Sequence, residues 1–229
     1  MVQLIEINNT KAILINSDNI ADDMKYAIAN NIKKIVISSR IGNYKLDNIN
    51  FVEAYPEIQD LTISTYLNID YSAIHSLKSL KKLSIDVLAV DNQEIDFNNF
   101  QNLEDLNFNW RKKTINLEKC TNLKSLIISK YKKKDLKEFS NFSNLETLFV
   151  WQSSIENLEG IESLVNLKRL SLFKNKKLTS LKGLENLTNL ADLEIDECKS
   201  LESVEEVHKL KNLKTLKIVN CGNIEDAVF

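Results

Sequence analysis

Leu145-Glu-Thr-Leu148-Phe-Val150-Trp-Gln-Ser153 sets an aliphatic residue, two variable residues, Leu, one variable residue and a third aliphatic in a row, then reaches a small polar residue. The phrase returns as Leu167, Leu170 and Leu172 with Asn175, as Leu190, Leu193 and Ile195 with Cys198, and as Leu213, Leu216 and Ile218 with Cys221. Toward the N-terminus it continues through Leu123-Leu126-Ile128, Leu103-Leu106-Phe108, Leu80-Leu83-Ile85, Ile58-Leu61-Ile63 and Ile32-Ile35-Ile37. The middle residues fall at 35, 61, 83, 106, 126, 148, 170, 193 and 216, a spacing of 20 to 26 that is mostly 22 or 23. Self-similarity at that period marks a solenoid, in which each unit buries its apolar edge only by stacking on its neighbours.

Within each phrase apolar and polar residues alternate, the period-2 signature of a short strand. Stacked copies predict a parallel sheet with strands roughly 4.8 Å apart. The connecting segments must return across the other face. Ile155, Leu158, Ile161 and Leu164, and then Leu181, Leu184 and Leu187, are apolar about every three residues and are interrupted by Gly160 and Gly183. That pattern predicts 3₁₀ or single-turn helix there.

The chain thereby resembles leucine-rich-repeat proteins of the roughly 22-residue class, the class of internalins and of a phosphatase regulatory subunit. The resemblance is closest from Leu145 onward, where Ser153, Asn175, Cys198 and Cys221 occupy the place at which that family puts a buried polar side chain. It implies a right-handed α/β repeat coil with the parallel sheet on its concave face and short helical returns on its convex face. It also implies that the polar side chains satisfy backbone groups of adjacent turns, which need partners when buried. Arg40, Tyr66, Leu88, Arg111 and Tyr131 stand at the aligned place in earlier units, so irregular returns are expected there.

Residues 1–31 read as an N-terminal cap, continuous with the repeats of residues 32–229 as one domain. Val2–Ile7 and Ala12–Ile15 form a hairpin about Asn8-Asn9-Thr10, with a degenerate first coil at Ile13 and Ile15. Ser17-Asp18-Asn19 offers capping chemistry for a helix with Ile20, Met24, Ala27 and Ile28 on one face. At the other end Ala227-Val228-Phe229 is placed to cover the last strand.

A net charge of −2 creates no global field toward nucleic acid, and a dedicated nucleic-acid reader is not expected. No segment approaches the roughly 20 apolar residues of a membrane-spanning helix. The N-terminus has no signal-peptide pattern, so a cytoplasmic location is the expectation. Abundant Lys, Ile and Asn hint at an AT-rich bacterial genome. His75 and His208 have no catalytic partners at useful spacing, and no phosphate loop, nucleophile elbow or metal-ligand pattern is present. Cys198 and Cys221 fall in neighbouring coils, close enough for a disulfide; reduced, buried thiols are the preferred reading, and Cys120 reads as a small core residue. No catalysis, cofactor or metal is expected.

The alternation assigns an outward residue set to each strand. In the middle units it places Ile127, Phe149, Trp151 and Phe173 together, with Arg169 beside them and Asp192, Glu194, Asp196 and Glu197 next in order. Large aromatics at positions aimed at water mark an interaction surface more than an isolated exposed Leu does. The competing reading is that they pack only as cross-strand pairs. Two basic runs, Arg111-Lys112-Lys113 and Lys130-Tyr131-Lys132-Lys133-Lys134, read as solvated loop surface. The expected function is protein binding on the concave sheet. Its finer forms are a cytoplasmic immunity protein that neutralises a bacterial toxin, a secreted or surface adhesin of internalin type, and an enzyme inhibitor of the phosphatase-regulator kind.

Overall fold

A computed structural model describes residues 1–7, 9–87, 93–222, 224–225 and 227–228, in two compact units, 1–116 and 117–229. Leu88 and Phe229, and Asn8 of the hairpin turn, lie outside the described residues.

The first unit opens with β1 (Gln3–Ile7) and β2 (Thr10–Leu14), paired antiparallel as the expected hairpin. Helix α1 (Ile20–Ala29) follows, and then β3 (Lys34–Ser38), β4 (Asp60–Thr65) and β5 (Lys82–Val87). A short ladder of β6 (Ile95–Asp96) with β8 (Thr114–Ile115) flanks β7 (Asp105–Asn109). The main sheet runs β1-β2-β3-β4-β5-β7 and is parallel from β2 onward. In the second unit β9 (Ser125–Ser129), β10 (Thr147–Trp151), β11 (Arg169–Phe173), β12 (Asp192–Asp196) and β13 (Thr215–Val219) stack in parallel. β14 (Ala227–Val228) closes the edge of β13 antiparallel. The second and third aliphatics of all nine phrases therefore lie on strands and are buried.

The returns are 3₁₀ turns, including Ile161–Ser163 and Leu184–Asn186. Gly160 opens the first of these at φ 103°, and a Cβ there would stand 2.7 Å from the Leu136 backbone of the preceding coil. Only glycine fits that approach.

In the second unit the strand ends in one way. Lys130, Gln152, Lys174, Glu197 and Asn220 each follow a strand directly with φ between 51° and 59°. This left-handed residue turns the chain inward, and its N–H still continues the ladder: Gln152 donates to the Phe173 carbonyl at 2.7 Å and Lys174 to that of Asp196 at 2.9 Å. The next residue enters the buried polar file. Ser153 Oγ accepts the Tyr131 N–H at 3.1 Å and donates to the Trp151 carbonyl at 2.8 Å. Asn175 Oδ1 accepts the Ser153 N–H at 3.0 Å, and its Nδ2 donates to the Val150 carbonyl at 2.7 Å. The thiols take over: Cys198 Sγ lies 3.6 Å from the Leu172 carbonyl and Cys221 Sγ 3.2 Å from that of Val219. Both cysteines are buried and reduced.

The first unit fills the file differently. Arg40 and Tyr66 do not enter it; Ser39 Oγ and Thr65 Oγ1 meet at 2.7 Å, and Ser39 Oγ accepts the Tyr66 N–H at 3.1 Å. The alignment is one residue late there, because no left-handed residue intervenes after β3 or β4. Arg111 does enter: 8% exposed, it donates to the Asn109 carbonyl and lies 5.3 Å from the centre of the Tyr71 ring. Burial lowers its pKa to about 10. The expectation of a solvated basic run thus fails at Arg111, and also at Tyr131, which is buried with its hydroxyl on Glu138 at 2.9 Å.

α1 differs from its expected face. Met24 and Ala27 are buried, but Ile28 is 53% exposed and Asp23 is buried in its stead. Spacings of three and four residues from Ile20 select Asp23, Met24 and Ala27, while Ile28 rotates away at the helix end. Asp23 Oδ2 accepts the Asn16 N–H at 2.8 Å and ties the helix to the segment before it, while the capping expected of Ser17-Asp18-Asn19 is not made: Asn19 stands at the N-cap without a side-chain hydrogen bond to the first turn. Val36, expected outward, is buried with Ala12 and Leu14 under contacts from Ile5 and Ile7. The hairpin adds a small apolar cluster on that face.

Candidate functional site

The register of the second unit arranges its outward residues in three rows. Ser125, Thr147, Arg169, Asp192 and Thr215 form the first; Ile127, Phe149, Ser171, Glu194 and Lys217 the second; Ser129, Trp151, Phe173, Asp196 and Val219 the third. The structure brings the predicted apolar residues together. Phe149 and Trp151 stack with ring centroids 5.6 Å apart at 19°, both half-buried, beside Ile127 and Phe173 in the adjoining strands. Trp151 Nε1 donates to Ser171 Oγ at 3.2 Å, and Ser171 Oγ donates in turn to Glu194 Oε2 at 3.3 Å. The indole is thus held in one orientation while part of its face stays in solvent.

The carboxylates are assembled but not bare. Lys217 Nζ bridges Glu194 at 2.7 Å and Asp196 at 3.3 Å, and Asn220 Nδ2 donates to Asp196 at 3.2 Å. Burial raises the Asp196 pKa, but the Asn220 and Lys217 hydrogen bonds and the Lys217 charge outweigh it, and the net shift is downward. Thr215 Oγ1 donates to Asp192 at 2.6 Å. Glu197, in the left-handed turn, pairs with Lys174 at 3.3 Å, whose ammonium also sits 4.9 Å from the Phe173 ring centre. Such exposed pairs contribute little stability individually; here they set the shape and charge of the face. Arg169 is exposed and makes no ion pair among the described residues. Phe149, Arg169, Asp192, Glu194, Lys217 and Val228 line a shallow depression of about 310 Å³.

Two features escaped the sequence reading. Lys217 and Lys174 as neutralising partners were legible as opposite charges one repeat away from Glu194 and Glu197. A second file of side chains runs along the returns: Asn144, Asn166, Asn189 and Asn212 each donate to a carbonyl of the preceding coil, at 3.2, 2.8, 2.8 and 2.7 Å. Asn102 does the same in the first unit at 3.1 Å. Its signal was Asn immediately before the first Leu of the phrase.

The other candidate groups are structural. Asp96 N–H donates to His75 Nε2 at 3.0 Å, leaving Nδ1–H to donate to the Ser72 carbonyl at 2.9 Å. Burial pushes the Cys120 thiol up to about 12, and the hydrogen bond with Cys221, followed by burial, raises that of Cys198. Among the described residues no cluster of three His, Cys, Asp or Glu could hold a metal ion, and no helix is long and apolar enough to cross a membrane.

No known family profile matches the sequence, and neither does any curated protein. Solved structures do match. An internalin of Listeria monocytogenes superposes with a TM-score of 0.58 at 16% identity, over 92% of this chain and 67% of its own. A leucine-rich-repeat protein of Leptospira interrogans gives 0.50 at 18% identity, over 88% and 64%. The receptor of a TLR13–ssRNA13 complex gives 0.52 at 17%, over 78% and 28%. This chain therefore spans about two thirds of the bacterial structures and under a third of the receptor. Together with the repeating strand, the inward polar file and the 3₁₀ returns, these likenesses show that the chain has the leucine-rich-repeat solenoid fold.

Proposed function

We propose that the chain is a protein-binding module whose outward sheet face, on β9 to β13, holds a partner without catalysis. The observation that carries this reading is Trp151, stacked on Phe149 and tied to Ser171 yet partly open to solvent. A pre-oriented aromatic loses little freedom on binding, and Trp, Tyr and Arg dominate interface energies. Ile127 and Phe173 extend the apolar anchor. Arg169, outside any ion pair among the described residues, supplies a cation, and Asp192, Glu194, Asp196 and Glu197 orient the partner. Lys217 and Lys174 offset half of that carboxylate charge, which weakens the case for an immunity protein that occludes a basic toxin groove and favours an apolar-centred interface.

The test is capture of partners from source cells, followed by titration of the partner against wild type and Trp151→Ala. The substitution is expected to cost on the order of 2 kcal/mol of binding. Equal affinity of the two proteins removes this face from the interface. A captured protein that is toxic when expressed alone selects the immunity form of the reading.

A further inference from the structure

The first unit carries a surface of a different character. At the N-terminal ends of β3, β4 and β5 lies a trough of about 400 Å³, lined by Lys11, Lys33, Lys34, Lys81 and Lys82 against a single carboxylate, Asp60. The protein as a whole is slightly acidic, at −2, so five lysines round one hollow are a local inversion of its charge.

The lysines divide into two rows. Lys34, Asp60, Lys82 and Asp105 sit in register on successive strands and neutralise one another: Lys34 pairs with Asp60 at 3.1 Å, and Lys82 pairs with Asp105. One residue earlier the row reads Lys33, Gln59 and Lys81, held coil on coil by Gln59 N–H on the Lys33 carbonyl at 3.1 Å and Lys81 N–H on the Gln59 carbonyl at 2.8 Å. Lys33, Lys81 and Lys11 of β2 make no ion pair among the described residues. Glu104 follows Lys81 in that row; its N–H donates to the Lys81 carbonyl at 2.8 Å, and its charge acts on Lys82 of the floor. The hollow thus presents three ammonium groups outside any ion pair among the described residues, with Glu6 opposite Lys11 across the hairpin, in front of a neutralised floor.

We propose that this trough docks an acidic polypeptide segment, extended across the coils with carboxylates on Lys11, Lys33 and Lys81. Lys33 and Lys81 are two coils apart, roughly 10 Å at the usual strand spacing. Carboxylates two or three residues apart in an extended chain are separated by roughly 7–10 Å, which flexible lysine stems can meet. The lining argues against nucleic acid. It contains no aromatic side chain on which a base could stack and no arginine to fork a phosphate. Exposed lysines act as point charges, so the site raises the association rate and loses strength with salt. It lies in the first unit and stands independently of the aromatic face proposed above.

The test is titration of the intact chain with a labelled peptide of alternating Glu and Ser, at low and at physiological salt. Saturable 1:1 binding is expected, with a dissociation constant raised on the order of tenfold by Lys33→Glu with Lys81→Glu. The neutral pair Lys33→Gln with Lys81→Gln should give a smaller loss, and Lys176→Glu with Lys211→Glu none. Unchanged thermal unfolding checks that the charge-reversed protein is folded, and the Gln pair keeps the result readable if it is not. Equal binding by wild type and both trough variants overturns the proposal. So does preference for single-stranded oligonucleotide or for anionic vesicles over the peptide at the same salt.

Discussion

The two units solve one problem with different side chains. From Lys130 onward every coil leaves its strand through a residue with positive φ and delivers the next residue to the same buried file, whether Tyr131, Ser153, Asn175, Cys198 or Cys221. In the first unit no positive φ follows β3, β4 or β7, and the file is filled by what is near: Ser39 and Thr65 hydroxyls in one place, the Arg111 guanidinium in another. The requirement common to both is that buried backbone N–H and carbonyl groups find partners. What differs is whether the backbone or the side chain adapts. A strained backbone residue allows a short polar group to reach; an unstrained one calls for an earlier hydroxyl or a longer donor.

This contrast can be broken most severely at Asn175. Leu at that position strands the Ser153 N–H and the Val150 carbonyl without partners in a site that is 0% exposed. We expect a loss of about 3 kcal/mol in denaturant unfolding, against about 1 kcal/mol for Ser39→Ala in the first unit. Equal losses would mean that the two files are equivalent in energy. Gly160→Ala should come next, at about 2 kcal/mol, since it adds a Cβ at positive φ and 2.7 Å from backbone; the same denaturation measures it.

The third probe is alkaline pH. Burial, with the charge of Asp47, pushes Tyr44 in the first unit up to about 12, and burial beside Glu138 raises Tyr131 in the second. Each folded-state pKa lies above the unfolded value of about 10. Their contribution is therefore complete below that value and is lost as pH rises through the folded one. Stability should fall above about pH 10, and Tyr131→Phe should fall less steeply, by up to about 2 kcal/mol. Phenolate absorbance followed alongside unfolding checks this, and parallel curves for both proteins would refute it. The smallest effect is at Gln152, with φ 51°. Glycine there should gain under about 1 kcal/mol, whereas Tyr66→Gly should lose a similar amount; melting temperatures of the two variants sharpen the distinction.

The strands were legible because alternation is a local property: Leu148 and Val150 inward, Phe149 and Trp151 outward, with nothing needed from other coils. The file from Ser153 to Cys221 was legible for the same reason, as a fixed offset from the phrase. Reading failed where the answer depends on a neighbour one turn away. Glu194 looks free until Lys217 is placed opposite it in register. Arg111 looks solvated until Tyr71 and the Asn109 carbonyl surround it, and Val36 looks exposed until the hairpin folds over it. Of the candidate site, the apolar grouping followed from alternation alone; its charge balance required side-chain reach between coils.

The left-handed residues have one further consequence. Lys130, Gln152, Lys174, Glu197 and Asn220 stand one per coil at the strand ends, and they already span positive, negative and neutral side chains. Positive φ excludes branching at Cβ far more than it discriminates among charges. These five positions form a line along which the identity of the rim can be rewritten by single substitutions while strand, file and core stay as they are. A solenoid built this way can change its surface faster than it changes its shape.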